Sequence, residues 1–384
     1  MSVLKILQQY GIKEGALCCD DVDRNRSKST TRIHGVHKLK DKLTGGFVDG
    51  QCLVFFFLVT PKASFPVSFE FYIPDPAWKA WKTEEARLKK NKVSKKLRPK
   101  EPERNPLYPT KIQIALQLLQ TFCQNFPLIK INCFLADGLY GASEFVEQAT
   151  AILKKGQVIT KIKHNQHVRL KGKEISVTEL FRRHPPVLQT LSLRGEPPVQ
   201  LWVSSARVYV PSHGKKRFVI ALRYPDENQY RYLMASNLSW RTLDIVQAYF
   251  FRWLIEVFFE DWKGHEGWGA LTKHLGEDGS RRSLILSLML DHALLFHPDQ
   301  KARLENKLPA WSVGSLSQRI QAEAVAQFVQ DLAHDGFNEN KIKKLKENID
   351  QVIPLHPSKK HMSHRAFPKM EPAPSLERFQ RDAA

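Results

Sequence analysis

The sequence lacks the features that mark secreted and membrane-embedded proteins. Its 384 residues include only five cysteines, an odd number without a C-x-x-C pair, which argues against a disulfide framework or a zinc ribbon. The longest strongly apolar run, CLVFFFLV at 52–59, is far shorter than the roughly 18–20 residues that span a bilayer. The N-terminal stretch MSVLKILQQYGIKEG predicts a short amphipathic helix without a signal-peptide core or cleavage site. We therefore expect a cytoplasmic protein with no membrane partner.

Acidic residues are scarce relative to basic ones. Lys and Arg number 59 against 39 Asp and Glu, which gives a formal net charge of +20 and favours a polyanionic partner, most often nucleic acid. Residues 82–104 are dense in Lys and Arg and predict a mobile basic segment or a solvated helix, either a surface excursion or a direct phosphate contact. Neither a glycine-rich phosphate loop nor a G-x-S-x-G elbow occurs, so nucleotide hydrolysis and acyl transfer have no support.

The order of predicted elements indicates an α/β fold. Strands are predicted at 15–21, 45–61, 66–74, 128–137, 157–165 and 230–237, and helices at 110–126, 143–156, 239–263, 281–296 and 315–350. This order matches an RNase H-like mixed sheet with flanking helices and a β-rich insertion before the last catalytic helix. The predicted division is 1–165 and 231–300 for the two parts of the RNase H-like unit, 166–230 for the insertion, 301–353 for C-terminal helices and 354–384 for a flexible tail.

The stretch YFFRWLIEVFFEDWK, residues 249–263, carries polar residues along one helical stripe. They follow one another at steps of 3, 4, 4 and 3: Tyr249, Arg252, Glu256, Glu260 and Lys263. The remaining residues are so apolar that the helix must be largely buried, and unpaired buried charge is costly. The stripe therefore either pairs internally at i, i+4 or faces a site. Two adjacent carboxylates flanked by Arg, Lys and Tyr suit a divalent metal beside a phosphate.

The stripe also carries a resemblance. Tyr249, Arg252, Glu256 and Lys263 form the pattern Y-x2-R-x3-E-x6-K, which resembles that of bacterial insertion-sequence transposases of the DDE type, in the insertion sequence four group. The surrounding RWLIEVFFEDWK resembles the Arg-Trp-x-Ile-Glu-x-Phe-Phe-x-x-x-Lys usual in that group, and the resemblance extends over about residues 15–265. It implies a nucleoid-associated enzyme that cleaves DNA at transposon ends and transfers the strands into target DNA.

The resemblance implies two further acids at strand ends. Asp137 in LADGLYGASEF is the second, and Asp20 in ALCCDDV is the first. Val22 stands where Thr or Ser is usual, and Asp21 is the alternative first ligand. In such enzymes three carboxylates hold two Mg²⁺ ions, or Mn²⁺ as a substitute, so the resemblance assigns Asp20, Asp137 and Glu256 to metal binding and catalysis, with Asp20 between the two ions.

The resemblance also implies contacts with DNA and with a second copy of the chain. Tyr249, Arg252 and Lys263 are expected to bind DNA phosphates, and a homodimer is expected to hold two terminal inverted repeats together with target DNA. Glu260 is expected to have a supporting role. Four tryptophans could stack on an extruded base, although buried packing is the favoured role for each: Trp202, Trp240, Trp262 and Trp268.

Two other functions stay open at this point. One is an RNase H-like nuclease that cuts nucleic acid without strand transfer, and the other is an inactive remnant that still binds DNA. Transposases of this group carry a helical DNA-binding region ahead of the first acid, whereas only 19 residues precede Asp20 here. We therefore expect either a truncated copy or a different element that grips the DNA.

Overall fold

The computed structural model describes residues 1–26, 30, 32–41, 44–154, 156–191, 198–265, 267–268, 274–306, 311–334, 336 and 349. The predicted tail at 354–384 and most of the predicted helical stretch beyond residue 334 lie outside the described residues. Within the part of the chain that the structure describes, none of the helices has the length and apolarity needed to cross a membrane.

The described residues form twelve strands and ten α-helices. The strands are β1 (Glu14–Asn25), β2 (His37–Lys40), β3 (Phe47–Val59), β4 (Ser64–Tyr72), β5 (Lys130–Ala136), β6 (Gln157–Ile162), β7 (His167–Leu170), β8 (Lys173–Ser176), β9 (Val187–Leu191), β10 (Val199–Val210), β11 (Lys215–Arg223) and β12 (Arg231–Ala235). The helices are α1 (Ser2–Gln9), α2 (Pro76–Lys90), α3 (Lys111–Asn125), α4 (Ser143–Ile152), α5 (Val177–Arg183), α6 (Thr242–Phe250), α7 (Trp253–Gly264), α8 (Gly276–Phe296), α9 (Pro298–Glu305) and α10 (Val313–His334).

All twelve strands belong to one mixed sheet. Its order is β2-β3-β1-β5-β6-β12-β11-β10-β7-β8, with β4 also beside β3 and β9 also beside β10. The series β4-β3-β1 is antiparallel, whereas β1, β5 and β6 are parallel and are connected through helices, as parallel neighbours require. This is the order and direction of an RNase H-like sheet, so the predicted fold class is confirmed. The β-rich insertion continues the same sheet, because β11 pairs with β12 and β12 pairs with β6.

The central strand β1 separates the two largest hydrophobic cores. Side chains alternate across a strand, so Cys18 and Val22 face the core that contains residues of α6, α7 and α8. Cys19 faces the opposite core, which contains residues of α1, α3 and α4. Asp20 and Asp21 therefore project to opposite faces of the sheet. All five cysteines are free and four are buried, which confirms that several are small core residues.

The single helix predicted over 239–263 is wrong. The chain forms α6 and α7, and the backbone between them makes shorter-range hydrogen bonds: the N–H of Phe251 donates to the carbonyl of Ala248 at 3.0 Å, and that of Arg252 to Tyr249 at 3.1 Å. These i to i−3 bonds tighten the helix for one turn, which leaves the apolar periodicity nearly unchanged and hides the break from sequence reasoning. The break falls at Arg252, inside the polar stripe.

Candidate active site

Strand register places the first two predicted acids side by side. In the parallel pair of β1 and β5, Cys19 lies opposite Ala136, so the next residues, Asp20 and Asp137, occupy the same edge of the sheet. Asp137 also caps a short turn, because its Oδ1 accepts a hydrogen bond from the N–H of Leu139 at 2.8 Å. Asp137 therefore caps this turn and also lies at the candidate site.

Arg252 links the first acid to the third. Its side chain is 10% exposed, its Nη1 donates to Asp20 Oδ2 at 2.5 Å, and its Nη2 donates to the carboxylate of Glu256. Burial acts to lower the pKa of Arg252, but the neighbouring Tyr249, Asp20 and Glu256 outweigh burial and raise it above its ordinary value. One guanidinium thus bridges two carboxylates that lie 236 residues apart in the chain.

The environment of Asp20 raises the pKa of its carboxyl group above the ordinary value. Burial raises the pKa of Asp20 to about 6, the positive charge of Arg252 opposes that shift, and the negative charge of Asp137 adds to it. A carboxyl with this pKa is mostly ionised at neutral pH, although its charge is poorly solvated. A cation near Asp20 would therefore lower its pKa and would be favoured there.

Two further side chains surround the acids. The hydroxyl of Tyr249 donates to the carbonyl of Ala136 at 3.3 Å, which ties α6 to the residue before Asp137, and burial raises the pKa of Tyr249. Sequence reasoning did not single out Lys161. Burial lowers the pKa of Lys161 and Arg252 lowers it further, whereas Glu256 and Asp137 raise it, so its amine lies within electrostatic reach of both acids. Its position follows from the strand register, two residues past the one paired with Leu135 on β6, and no local sequence signal marks it.

The structure does not bring the end of the stripe to the acids. Lys263 lies seven residues beyond Glu256 on α7, which is about 10 Å along the helix axis. Its Nζ lies 5.7 Å from the ring centroid of Trp268. Glu260 is exposed on the surface of the helix. The structure therefore groups Asp20, Asp137, Glu256 with Arg252 and Tyr249, and separates Lys263 from them.

Two of the four tryptophans are packing residues. Trp262 and Trp268 are fully buried, and their rings stack at a centroid distance of 4.3 Å with an interplanar angle of 14°. This confirms the favoured role for both, because neither ring is accessible to a base. Trp202 and Trp240 are partly exposed, so a stacking role for them stays a prediction.

A second group of ligand-type side chains lies on the other face of β1. Asp21, Asp23 and Cys52 have ligand atoms within 4.8 Å of one another, and across the described ranges no other trio of His, Cys, Asp or Glu is as close. The ammonium of Lys111 already lies there, with its Nζ 2.6 Å from Asp21 Oδ2. Burial raises the pKa of the Cys52 thiol, which argues against a thiolate ligand at this position. We therefore interpret this group as a lysine-neutralised cluster.

The acids on the Arg252 side suit a hard divalent ion. All three are carboxylates, which Mg²⁺ and Mn²⁺ prefer, and no softer ligand accompanies them. Arg252 holds Asp20 and Glu256 through separate nitrogens, so one cationic side chain already bridges these two carboxylates. Asp20, Asp137 and Glu256 are not within 4.8 Å of one another as a trio. Two ions would not require such a trio, and Asp20, Asp137 and Glu256 would be the residues that hold them.

One comparison with known proteins, a family match, agrees with a nuclease-type site. A family described as "DDE superfamily endonuclease" matches residues 12–201, just under half of the chain. This span includes Asp20 and Asp137 and excludes Glu256. Among solved structures, the NurA nuclease from Sulfolobus solfataricus is 9% identical over 61% of this chain and 72% of that chain, with a TM-score of 0.28, too low to carry an argument. No curated protein matches. The family match supports a DDE-type nuclease.

Proposed function

We propose that this protein is a DNA transposase, which cleaves DNA at transposon ends in a metal-dependent reaction and joins those ends to target DNA. The observation that carries the proposal is the double ion pair of Arg252, which gathers Asp20 and Glu256 at the edge of the sheet where Asp137 lies. The family match over the first two acids supports the nuclease part. In this proposal the protein works at the bacterial nucleoid in the cytoplasm, where its DNA substrates lie.

Asp20, Asp137 and Glu256 would hold two Mg²⁺ ions, or Mn²⁺ in their place. Such ions supply an activated water or 3′-hydroxyl and stabilise the leaving oxyanion. Asp20 contributes a carboxylate whose poor solvation favours a nearby cation, and Asp137 is held in place by its cap on the following turn. Tyr249 positions Asp137 through its hydrogen bond to the preceding carbonyl.

Arg252 has a second role in this proposal. Its planar guanidinium fits a phosphate in the same bidentate manner as it fits two carboxylates. With Asp20 and Glu256 holding the metal, Arg252 would be the residue that binds the DNA phosphate beside the reacting bond. Lys263 would contact the backbone about 10 Å further along α7, outside the cluster of acids. Tyr249 would bind a phosphate only by giving up its bond to Ala136, so we assign it chiefly to positioning.

A joining assay separates this proposal from its alternatives. The protein is incubated with Mg²⁺, a short duplex that carries the element's own end sequence, and a supercoiled target plasmid. We expect both cleavage at the element end and plasmid products that contain the labelled duplex. Cleavage without joined products would favour an RNase H-like nuclease that lacks strand transfer. Binding of the duplex without cleavage under Mg²⁺ or Mn²⁺ would favour an inactive DNA-binding remnant.

We also propose that the protein acts as a homodimer on DNA, through the outer face of α8. This face is more apolar than the inner one: the exposed side chains are Ile285, Leu286, Met289 and Leu290, with exposures of 41–67%, whereas the inner face alternates Ser and Leu. Contiguous apolar patches that exceed a few hundred Å² mark sites of protein–protein interaction, and four neighbouring apolar side chains on one helix face are a candidate for such a patch. In an antiparallel pairing with a second copy, Ile285 would face Leu290 and Leu286 would face Met289. The face is therefore self-complementary about a two-fold axis.

Replacing Leu286 by glutamate is expected to prevent this dimer. The side chain is 67% exposed, so the change leaves the monomer's core intact, whereas in the dimer it would bury an unpaired carboxylate. Light scattering after gel filtration, with and without end DNA, measures the mass. Leu128→Glu is the matched control, because Leu128 is 90% exposed and lies far from α8 in the sequence. A Leu286→Glu variant that still elutes as the wild-type dimer would contradict the assignment of this face.

A further inference from the structure

Residues 75–110 leave the sheet after β4 and return at α3 as an ordered projection, here named the basic arm. It consists of α2 and a returning segment, and it contains eleven basic and five acidic residues. No side chain of α2 is buried, so the helix contributes nothing to either core. Of the two interpretations of residues 82–104, a solvated helix is therefore confirmed over the helical part. A helix without a buried face needs another reason for its order.

The base of the arm is closed by one carboxylate. Asp75 is buried, its Oδ1 accepts from the N–H of Ala77 at 2.9 Å as the cap of α2, and its Oδ2 accepts from the N–H of Asn105 at 3.4 Å. Pro76 occupies the first helical position, where its fixed φ suits a helix start. The beginning and the end of the arm are thus held together at the point where both join the sheet.

The returning segment is fastened to α2 by side-chain bonds. Trp81 Nε1 donates to the carbonyl of Pro99 at 2.9 Å, and Trp78 Nε1 donates to Glu101 at 2.9 Å. The guanidinium of Arg104 lies 3.9 Å from the Trp78 ring centroid, a cation–π contact. These bonds hold the arm in one shape without using a hydrophobic core.

Within the arm, acidic residues form ion pairs with arginines, and the lysines are left without an acidic partner among the residues that the structure describes. Glu84 pairs with Arg87, and Glu85 pairs with Arg98 at 2.8 Å. Eight lysines are exposed, and none has a carboxylate partner among the described residues: Lys79, Lys82, Lys89, Lys90, Lys92, Lys95, Lys96 and Lys100. The arm therefore presents a dense group of positive charges, not paired with carboxylates, on an ordered backbone.

The arm is rooted at the edge of the sheet that carries the candidate acids. Strand β4 enters it through Tyr72, which lies opposite Cys52 on β3, and Cys52 lies opposite Asp23 on β1. At the other root, Lys111 begins α3 and binds Asp21, the neighbour of Asp20. Both roots thus lie beside the segment of β1 that carries Asp20, on the face of the sheet to which Asp21 and Asp23 project.

We propose that the basic arm grips the phosphate backbone of duplex DNA next to the active site. This inference rests on the proposed function, since that function makes DNA the substrate. Lysines are point charges that hold phosphates without reading base sequence, so the arm would position the duplex and supply affinity independent of sequence. A helix of 15 residues is about 22 Å long, which suits the regular charge array of a duplex. The arm thus supplies a DNA-gripping element inside the described chain.

The test measures how salt weakens DNA binding when the arm loses charge. Lys89, Lys90 and Lys92 are replaced together by glutamine, and a 20-base-pair duplex of arbitrary sequence is titrated by fluorescence anisotropy in EDTA, so that no cleavage occurs. We expect the affinity to fall about 10- to 100-fold near 100 mM KCl, and the slope of log K against log salt to decrease by about 2–3, because each lost phosphate contact removes about 0.9. The matched control replaces Lys171, Lys173 and Lys216, three exposed lysines of the insertion.

Each outcome decides between definite alternatives. An unchanged slope in the arm variant, or an equal decrease in the control, would overturn the proposal. A loss confined to single-stranded RNA of the same length would overturn it in favour of an RNA partner. Because this binding assay contains no metal, its result does not depend on cleavage. A slope change, together with no cleavage or joining by the wild type in the separate Mg²⁺ joining assay, would leave the arm assignment standing and would contradict the proposed transposase. Thermal melting of both variants verifies that the fold is unchanged.

Discussion

Alanine at position 256 is expected to abolish metal-dependent DNA cleavage while leaving the fold and DNA binding intact. Glu256 supplies one of three proposed metal-binding carboxylates, and loss of one such group is expected to lower the cleavage rate on the order of 10³-fold or more. The fold should survive, because the side chain is 35% exposed and Arg252 keeps its second partner, Asp20. Nicking of an end-bearing duplex under Mg²⁺ and under Mn²⁺ measures the effect, with binding measured separately in EDTA.

The same helix offers the control. Glu260 lies one turn further along α7, carries the same charge and is exposed. Glu260→Ala should therefore cleave at nearly the wild-type rate, within about threefold. If both variants lost cleavage equally, the loss would come from the charge of the helix as a whole, and Glu256 would not be a metal-binding residue.

Asp137→Asn tests in the same way whether the carboxylate that follows β5 is needed for cleavage. Asparagine retains an oxygen that can accept from the N–H of Leu139, so the turn after β5 stays capped while the negative charge disappears. Cleavage should fall as far as in Glu256→Ala, with no change in melting temperature. A variant that still cleaves would show that Asp137 serves the turn alone.

Much of the sheet could be predicted because its strands carry their own signals. The hairpin of β3 and β4 is rich in aromatic and β-branched residues and bounded by Gly and Pro, and the structure confirms it. Strand β2 could not be predicted, since in HKLK only Leu39 is apolar and its pairing with the edge of β3 decides its conformation. Likewise β1 continues past the acids into polar residues, because it pairs with β3 as far as Asn25.

The contacts of the site within the helix could be predicted from the sequence, whereas the contacts between the helix and the sheet could not. Helical spacing alone places Arg252 and Glu256 on one face, one turn apart. That Arg252 also binds Asp20 depends on the packing of α7 against β1, two elements separated by more than 200 residues. The choice between Asp20 and Asp21 likewise needs the identity of the face, because alternation states only that they point apart. Lys161 escaped notice since nothing local distinguishes it from a surface lysine.

Arg252→Gln is expected to make the stability of the protein strongly dependent on both pH and divalent metal. Glutamine cannot neutralise Asp20 and Glu256, so Asp20 loses the cation that opposes burial, and its pKa should rise above the present value of about 6. A carboxyl whose pKa is raised in the folded state stabilises the protein fully below its unfolded pKa, near 3.8. That stabilisation is lost as the pH rises through the folded pKa. The variant should therefore approach wild-type melting at pH 5.

At pH 8 the variant should melt about 5 °C below the wild type, since removal of the guanidinium leaves the poorly solvated Asp20 carboxylate and the neighbouring Glu256 without their cation. Mn²⁺ at millimolar concentration should restore the loss, and the rise in melting temperature should be larger than in the wild type, because Arg252 no longer competes with the metal for the same oxygens. Cleavage should nevertheless fail, since the proposed phosphate contact is gone.

Lys263→Gln is the matched control for this experiment, because it removes a positive charge from the same helix about 10 Å from Glu256. Its melting temperature should respond to pH and to Mn²⁺ as in the wild type. Equal metal responses in all three proteins would contradict the view that Arg252 stands where a cation binds. A larger response confined to Arg252→Gln would place metal and guanidinium in competition for Asp20 and Glu256, which is the arrangement that the proposed exchange of Arg252 from carboxylates to phosphate requires.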